Sequence, residues 1–222
     1  MIITDEKPLS VSLRESTAHA HGEAESTSFM TCLLGGELDR AAVADYTAQL
    51  WFIYTALERA VCGNGHLPHL AQIMDRRLER LGALECDLME LFGLDWRTHL
   101  APTSATLVYA GRLDELADRG DELGIIAHHY VRYLGDLAGG QVIARMLQRH
   151  YGISERGVNF YDFPLLGGIK PYRDAYRGRL DALRLNGGEA ARLIAEANRV
   201  FALNGAVFRD LQDRHRPPAE AR

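Results

Sequence analysis

The sequence predicts an all-α protein with a single domain. Almost every segment of its 222 residues carries apolar residues at helical spacing, and no stretch alternates polar and apolar residues over the length of a strand. Clusters of glycine, asparagine and proline separate these segments, as is typical of helices joined by tight turns. A chain of this length can form one substantial core and is short for two. We therefore expect a flexible N-terminus (1–8), one helical domain (9–213) and a polar C-terminal tail (214–222).

Capping and stop signals set the ends of the first two helices. Ser12 and Glu15 have the spacing of a capping box, so the first helix is expected to begin near Ser10 or Ser12. A short second helix over residues 29–34 stops at Gly35-Gly36, because glycine readily adopts the left-handed conformation that ends helices.

Three longer helices are predicted in the middle of the chain. Asp39 caps a helix that extends through Cys62 and breaks at a Gly-Asn-Gly turn. One continuous helix is expected over residues 68–92. Another starts at Pro102 and ends near Gly120, since proline favours the first turn of a helix.

The last three helices follow the same logic. A glycine-bearing helix over residues 127–150 is closed by Gly152, and a looser stretch leads to a helix that Pro171 opens. An Asn-Gly-Gly turn at residues 186–188 then precedes a final helix over residues 189–211.

The glycine-bearing helix is the most unusual segment. Gly135 and Gly139 are four residues apart and share one side of the helix, and Gly140 is expected to widen the gap and to allow a bend. Each glycine costs about 0.5–1 kcal/mol relative to alanine, so three of them indicate a purpose. Either another helix packs closely here, or a flat ligand lies against the backbone. Packing alone does not require the carboxylate of Asp136 at this opening, or Arg132 one turn before it.

His21 is the most informative of the nine histidines. Glu25 lies one turn later on the same side, where a carboxylate can accept the second N–H of the imidazole and orient the ring as a metal ligand. The alternative is a surface His–Glu pair that contributes a few tenths of a kcal/mol.

Positive charges form a second candidate cluster, made of Arg14, Lys170, Arg173 and Arg177. Arg173 and Arg177 are one turn apart, so the two cations repel each other unless an anion lies between them, although a solvated helix face would look the same. A planar apolar ligand with two carboxylates, such as haem, would explain the histidine, the glycines and the arginines together.

Composition excludes several classes of protein. The formal net charge of −5 does not favour binding to nucleic acid, and no apolar run approaches the roughly 20 residues of a membrane helix, so we expect no membrane anchor. Three scattered cysteines fit a reducing compartment rather than a disulfide framework. No signal peptide is evident, and we expect a cytoplasmic protein.

Four sequence motifs resemble those of the haem oxygenases, especially the bacterial type, over about Leu9 to Leu211. Residues 130–142 read Tyr-Val-Arg-Tyr-Leu-Gly-Asp-Leu-Ala-Gly-Gly-Gln-Val. The other matches are Glu-Ser-Thr-Ala-His-Ala-His at residues 15–21, Tyr-Thr-Ala-Leu-Glu at 54–58, and Phe-Ala-Leu-Asn at 201–204. The resemblance implies a helical fold that holds haem between a proximal helix and a kinked distal helix.

The resemblance also implies a role for each matching residue. His21 would bind the haem iron, and Glu25 would orient it. Asp136 would hold a water network near bound dioxygen, supported by Tyr54, Arg132 and Asn204. Gly135, Gly139 and Gly140 would form the wall of backbone that covers the haem. The residues on the propionate side would be Arg14, Tyr130, Lys170, Arg173 and Arg177. The apolar wall would comprise Met30, Phe201 and Phe208.

The sequence departs from the family pattern at three places. Arg14 stands where relatives commonly have lysine, Ala138 where serine is frequent, and Gly168 where close relatives have a lysine. These changes affect how haem would be seated, and Lys170 is the propionate assignment that they weaken most.

The family's activity is oxidative opening of haem to biliverdin, carbon monoxide and ferrous iron. Haem b would be both cofactor and substrate, dioxygen the co-substrate, and a reductase or ferredoxin the electron donor, with iron acquisition or bilin supply as the purpose. The main alternative is a carrier or sensor that binds haem without turnover. A di-iron oxidase is disfavoured because no glutamate has a histidine three residues later, and a thiaminase-like hydrolase because no cysteine neighbours these motifs.

Overall fold

A computed structural model describes residues 7–215, and within this range the chain forms nine α-helices and no strand. Short 3-10 turns link some of them, and the residues of the predicted tails outside this range are not described. The helices are α1 (Leu9–Glu25), α2 (Ser28–Gly35), α3 (Arg40–Asn64), α4 (Leu70–Ile73), α5 (Leu81–Phe92), α6 (Ser104–Asp118), α7 (Glu122–Tyr151), α8 (Ile169–Ala182) and α9 (Gly187–Arg214).

Most of the predicted helix ends are confirmed. The Asp39 side chain accepts a hydrogen bond from the Ala42 backbone N–H at the start of α3. Gly36 and Gly152 end α2 and α7 with φ of 77° and 61°, the left-handed region that disfavours other residues. α9 begins two residues earlier than expected, at a capping box whose N-cap is Asn186.

The predicted capping box of α1 is wrong. The helix begins directly after Pro8, and no side chain caps it. Ser10 instead binds Asp181 of α8, with its backbone N at 2.7 Å and its Oγ at 2.9 Å from the carboxylate oxygens. Glu15 pairs with Lys7. The N-terminal end of α1 is therefore held by α8 and not by a local cap.

The predicted continuous helix over residues 68–92 is also wrong, because the chain leaves helical geometry between α4 and α5. Asp75 is extended (φ −151°, ψ 113°), and its carboxylate accepts hydrogen bonds from the Arg77 backbone N–H and the Tyr172 hydroxyl. The Glu58 carboxylate of α3 accepts hydrogen bonds from the backbone N–H groups of Arg80 and Leu81 at the start of α5. Distant side chains thus replace the helical hydrogen bonds, which local sequence patterns cannot reveal.

The core lies around α3, α7 and α9. α3 packs against α5, α6 and α7, and α9 packs against α1, α6 and α7. Fully buried aromatic residues such as Tyr54 and Tyr109 fill the space between these helices. α7 stays helical across all its glycines, so the predicted bend at Gly139-Gly140 remains a prediction. None of the helices described is both long and apolar enough to cross a membrane.

Candidate functional site

His21 lies on the exposed side of α1, and its ring contacts α9. Its side chain is 49% exposed, and its Nδ1 lies 3.4 Å from an oxygen of Glu25. The ring meets Phe201 of α9 edge to face, with centroids 5.5 Å apart. His19 forms a similar pair with Glu23, but its side chain is 89% exposed. Of the two rings, only that of His21 contacts an aromatic ring of another helix.

The glycines of α7 divide into two kinds. A Cβ added to Gly135 or Gly139 would meet no atom within 4 Å. A Cβ on Gly140 would lie only 2.9 Å from the buried ring of Tyr161. The expectation that Gly140 widens the gap is therefore wrong, since its lack of a side chain makes room for Tyr161. Val142 adds a 46% exposed apolar side chain to the open side.

Asp136 is a buried carboxyl beside this open side. Its side chain is 11% exposed, it accepts a hydrogen bond from the Tyr54 hydroxyl, and its Oδ1 lies 3.9 Å from Nη2 of Arg132. Burial raises the pKa of Asp136, and the charge of Arg132 and the tyrosine hydrogen bond only partly oppose that rise. Asp136 therefore keeps its proton to a higher pH than an exposed aspartate does.

Arg132 joins this carboxyl to α9. Its Nη1 donates to Oδ1 of Asn204 at 3.0 Å, and its guanidinium lies 5.1 Å from the centre of the Tyr54 ring. Asn204 follows Phe201 by three residues, so their side chains are neighbours within one turn of α9. Asp136, Tyr54 and Arg132 form what we call the Asp136 cluster. This cluster and His21 of α1 therefore both contact the same turn of α9.

Three of the four basic residues share neighbours. Arg14 and Arg177 both lie close enough to Tyr130 to oppose the rise that burial causes in the pKa of its hydroxyl. Lys170 is 89% exposed and bound to Asp174, which also accepts a hydrogen bond from Arg177 at 3.0 Å. This shared aspartate relieves the repulsion among the cations of α8.

Arg173 differs from Lys170 and Arg177, because its Nε is buried without a hydrogen-bond partner, as is Nε of Arg179. The residues predicted as apolar wall also differ among themselves. Phe201 contacts His21, whereas Phe208 stacks on Phe29 with ring centroids 6.3 Å apart, and Met30 is buried.

Two buried polar residues near the Asp136 cluster were not identified from the sequence. The Tyr109 hydroxyl and Nδ1 of His128 are buried and have no protein partner, and neither has Nε of Arg132. The rings of Tyr109 and His128 lie 5.4 Å apart. Nε2 of His128 lies 3.2 Å from Glu196. Helical periodicity assigns such residues to the core, and nothing in it distinguishes a satisfied core residue from an unsatisfied one.

The arrangement suits proton transfer next to a flat ligand that an imidazole holds. An exposed imidazole offers a free ring nitrogen, a side-chain-free stretch of helix allows close approach of a flat molecule, and a buried carboxyl can hold a proton beside it.

The chain matches one family model and many related proteins. The family model described as "Heme oxygenase" matches residues 7–210. A relative named "Heme oxygenase" from Porphyra purpurea is 38% identical over 200 residues, which are 90% of this chain and 84% of the relative. A similar solved structure is heme oxygenase-1 from the cyanobacterium Synechocystis sp. PCC6803 in complex with heme, with a TM-score of 0.89, 32% identity and 94% of each chain covered. The heme oxygenase from Leptospira interrogans has a TM-score of 0.86 and 33% identity, with 91% of this chain and 98% of that chain covered.

Proposed function

The chain belongs to the haem oxygenase family, and from this premise we propose that it binds haem and opens its ring oxidatively. Haem is both substrate and cofactor in this proposal. The products are biliverdin, carbon monoxide and ferrous iron, dioxygen is the co-substrate, and a reductase or ferredoxin supplies the electrons. The observation that carries the proposal is the convergence of His21 and the Asp136 cluster on one turn of α9, with the open side of α7 beside them.

The residues present fit haem on its proximal side. Glu25 lies beside Nδ1 of His21 and can accept a hydrogen bond from the N–H of that nitrogen. The Nε2 atom then keeps its lone pair and is free to bind the iron. Phe201 supports the imidazole from α9 and limits its rotation.

The distal side fits a flat ring as well. Gly135 and Gly139 have open space where a side chain would stand, so the macrocycle can approach the α7 backbone directly. Arg14 and Arg177, which both lie near Tyr130, are our candidates for binding the propionates. Lys170 is a weak candidate, because its side chain is 89% exposed, against 38% for Arg177.

Bound haem supplies the chemistry toward dioxygen and the carbon skeleton that is cut. The protein's part is to move protons and to position the ring. Asp136 would transfer protons near the distal surface, Tyr54 orients its carboxyl, and Arg132 and Asn204 fix the position of this pair.

The unpartnered atoms of Tyr109, His128 and Arg132 are suitable binding points for ordered water, since buried polar groups normally have a partner. Such water would extend the hydrogen-bond network around Asp136. A haem carrier or sensor needs no proton-holding carboxyl in this place, so the buried Asp136 supports an enzyme. The three cysteines are free thiols, which supports work in a reducing compartment such as the cytoplasm.

The test is to mix the purified protein with haemin and a reductant under air, and to identify the tetrapyrrole and gas released. We expect biliverdin and carbon monoxide from the wild type. Asp136→Asn should still bind haem but lose most biliverdin formation, on the order of 100-fold for one proton-transferring group. Intact haem after incubation with the wild type would refute the proposed function, and full activity in the variant would remove Asp136 from it.

A further inference from the structure

The side chain of Asp181 joins the end of α8 to the start of α1. One of its carboxylate oxygens accepts a hydrogen bond from the Ser10 backbone N–H at 2.7 Å, and the other accepts one from the Ser10 hydroxyl at 2.9 Å. Ser10 is only 9% exposed, so its side of this contact is largely closed to water. Because both oxygens take part and one donor is a backbone group, the contact fixes the orientation of the two helices as well as their distance.

Asp181 is placed to stabilise α1 and not its own helix. It stands in the last turn of α8, where the helix dipole disfavours a negative charge. The start of α1 favours such a charge, because the first backbone N–H groups of a helix lack partners within it. The first turn of α1 contains no acidic residue, and its N-cap position, Pro8, offers no side-chain hydrogen bond. Asp181 thus replaces a local cap from another helix.

The contact lies on the same side of α1 as the haem-binding residues. With about 100° of rotation per residue, Arg14 and His21 are only about 40° and 20° around the helix from Ser10. His21 contacts Phe201 of α9, roughly 16 Å further along α1 than Ser10. This side of α1 is therefore held near both ends, by α8 at Ser10 and by α9 at His21.

Two arginines flank the contact at equal distances. Arg14 follows Ser10 by four residues and Arg177 precedes Asp181 by four, so each arginine stands one turn, about 6 Å, from the contact on its own helix. Both arginines also lie near Tyr130 of α7, since both oppose the rise that burial causes in the pKa of its hydroxyl. A shift of α1 along α8 would change the spacing of these two cations.

Neutralisation of Arg177 does not explain Asp181. Both oxygens of Asp181 bind Ser10, whereas Arg177 donates to Asp174 at 3.0 Å. The acid that partners Arg177 is therefore Asp174, and the role left to Asp181 is to hold α1.

We propose that Asp181 positions α1 on α8 so that Arg14 and Arg177 together bind the two propionates of one haem. Asp181 acts through Ser10 and is a positioning residue, not a catalytic one. The inference rests on the proposed function for the identity of the ligand. The contact itself is present without haem, so it can be tested separately.

The first test is a haem titration followed by absorbance. Asp181→Ala should weaken haem binding about fivefold, as for the loss of one exposed ion pair. Loss of the negative charge alone would instead strengthen the binding of anionic propionates, so the sign of the change separates the two effects. Asp181→Asn removes the same charge, but its amide can still accept from the Ser10 N–H and donate to the Ser10 hydroxyl. It should bind haem at least as tightly as the wild type.

The second test asks whether Asp181 acts through Arg14. Arg14→Gln should weaken haem binding about fivefold in the wild type, but less than about twofold in Asp181→Ala, where the arginine is already misplaced. If Asp181 only stabilised the fold, the two effects on Kd would multiply. Ser12→Ala is the matched control, because it removes a serine hydroxyl of α1 on another side of the helix, and it should change neither value.

A third measurement needs no haem. Exchange of the Ser10 amide hydrogen, followed by NMR, should be on the order of tenfold faster in Asp181→Ala than in the wild type, and unchanged in Ser12→Ala. If Asp181→Ala does not fold, Ser10→Ala takes its place in the titrations. It removes the hydroxyl bond alone, and should weaken haem binding about twofold and reduce the effect of Arg14→Gln.

The outcomes separate this inference from the proposed function. Haem binding by folded Asp181→Ala that is as tight as in the wild type, multiplying effects with Arg14→Gln, or unchanged exchange at Ser10 would each overturn the inference. Coupled affinities in a wild type that binds haem but leaves it intact would support the inference and refute the proposed oxidation.

Discussion

Replacing Gly139 and Gly140 by alanine, one at a time, should separate the function of one glycine from the packing of the other. A Cβ on Gly139 meets no atom, so the haem-free variant gains only helix propensity, about 0.5–1 kcal/mol of unfolding free energy. A Cβ on Gly140 lies 2.9 Å from Cδ1 of Tyr161. That ring is buried and must shift, at a cost of about 1–3 kcal/mol for overpacking, which exceeds the same gain in helix propensity over most of this range. The two variants should therefore change stability in opposite directions.

Gly139→Ala, which should stabilise the haem-free protein, should weaken the binding of haem. The added methyl group stands where the macrocycle would approach the backbone, so we expect a loss of about 1–3 kcal/mol in binding, roughly 5- to 150-fold in Kd. Urea unfolding of the haem-free proteins and haem titration followed by absorbance measure both effects. A Gly139→Ala protein that is less stable than the wild type, or that binds haem as tightly, would refute this interpretation of the open side.

Three further outcomes are expected. His21→Ala should lose the absorption spectrum of histidine-ligated haem, whereas His19→Ala should keep it, and the opposite pattern would transfer the ligand role to His19. Arg177→Gln should weaken haem binding by about 1 kcal/mol, or roughly fivefold, and Lys170→Gln should have no measurable effect in the same titration. Glu196 is buried, but hydrogen bonds from a histidine and an arginine outweigh burial and lower its pKa to about 2. Since its pKa is lower in the folded state, its stabilisation of about 3 kcal/mol is present above about pH 5 and is lost as the pH falls toward 2. Acid unfolding of Glu196→Gln should lack this pH-dependent loss, and identical slopes for both proteins would contradict the assignment.

The sequence predicted the long helices well, because their signals are local. The Asp39 side chain accepts a hydrogen bond from a backbone N–H of its own helix, and Gly36 and Gly152 adopt the left-handed conformation that ends theirs. These effects involve residues a few positions apart, so capping rules apply without knowledge of the tertiary structure. The break between α4 and α5 depends on acceptors from other helices, Glu58 of α3 above all. No pattern within residues 68–92 contains that information.

The site residues also divide into those with a local sequence signal and those whose contacts depend on tertiary packing. The glycine spacing and the His–Glu pair predicted the two walls of a ligand site, and the resemblance to a family specified the ligand; both walls remain predictions. Packing decided the rest. Gly140 accommodates a tyrosine 21 residues later, and Lys170 binds Asp174 on its own helix. Tyr109 and His128 become visible as candidates only when their missing hydrogen-bond partners are counted.

The open side of α7 makes the protein's resistance to unfolding depend on its ligand. Gly135 and Gly139 weaken the helix, and Val142 leaves apolar surface in water as long as nothing covers it. A ligand that binds only the folded state adds RT ln(1 + [L]/Kd), or about 2.7 kcal/mol at 100 times Kd. Scarcity of the tetrapyrrole would thus expose the chain to proteolysis, and abundance would protect it.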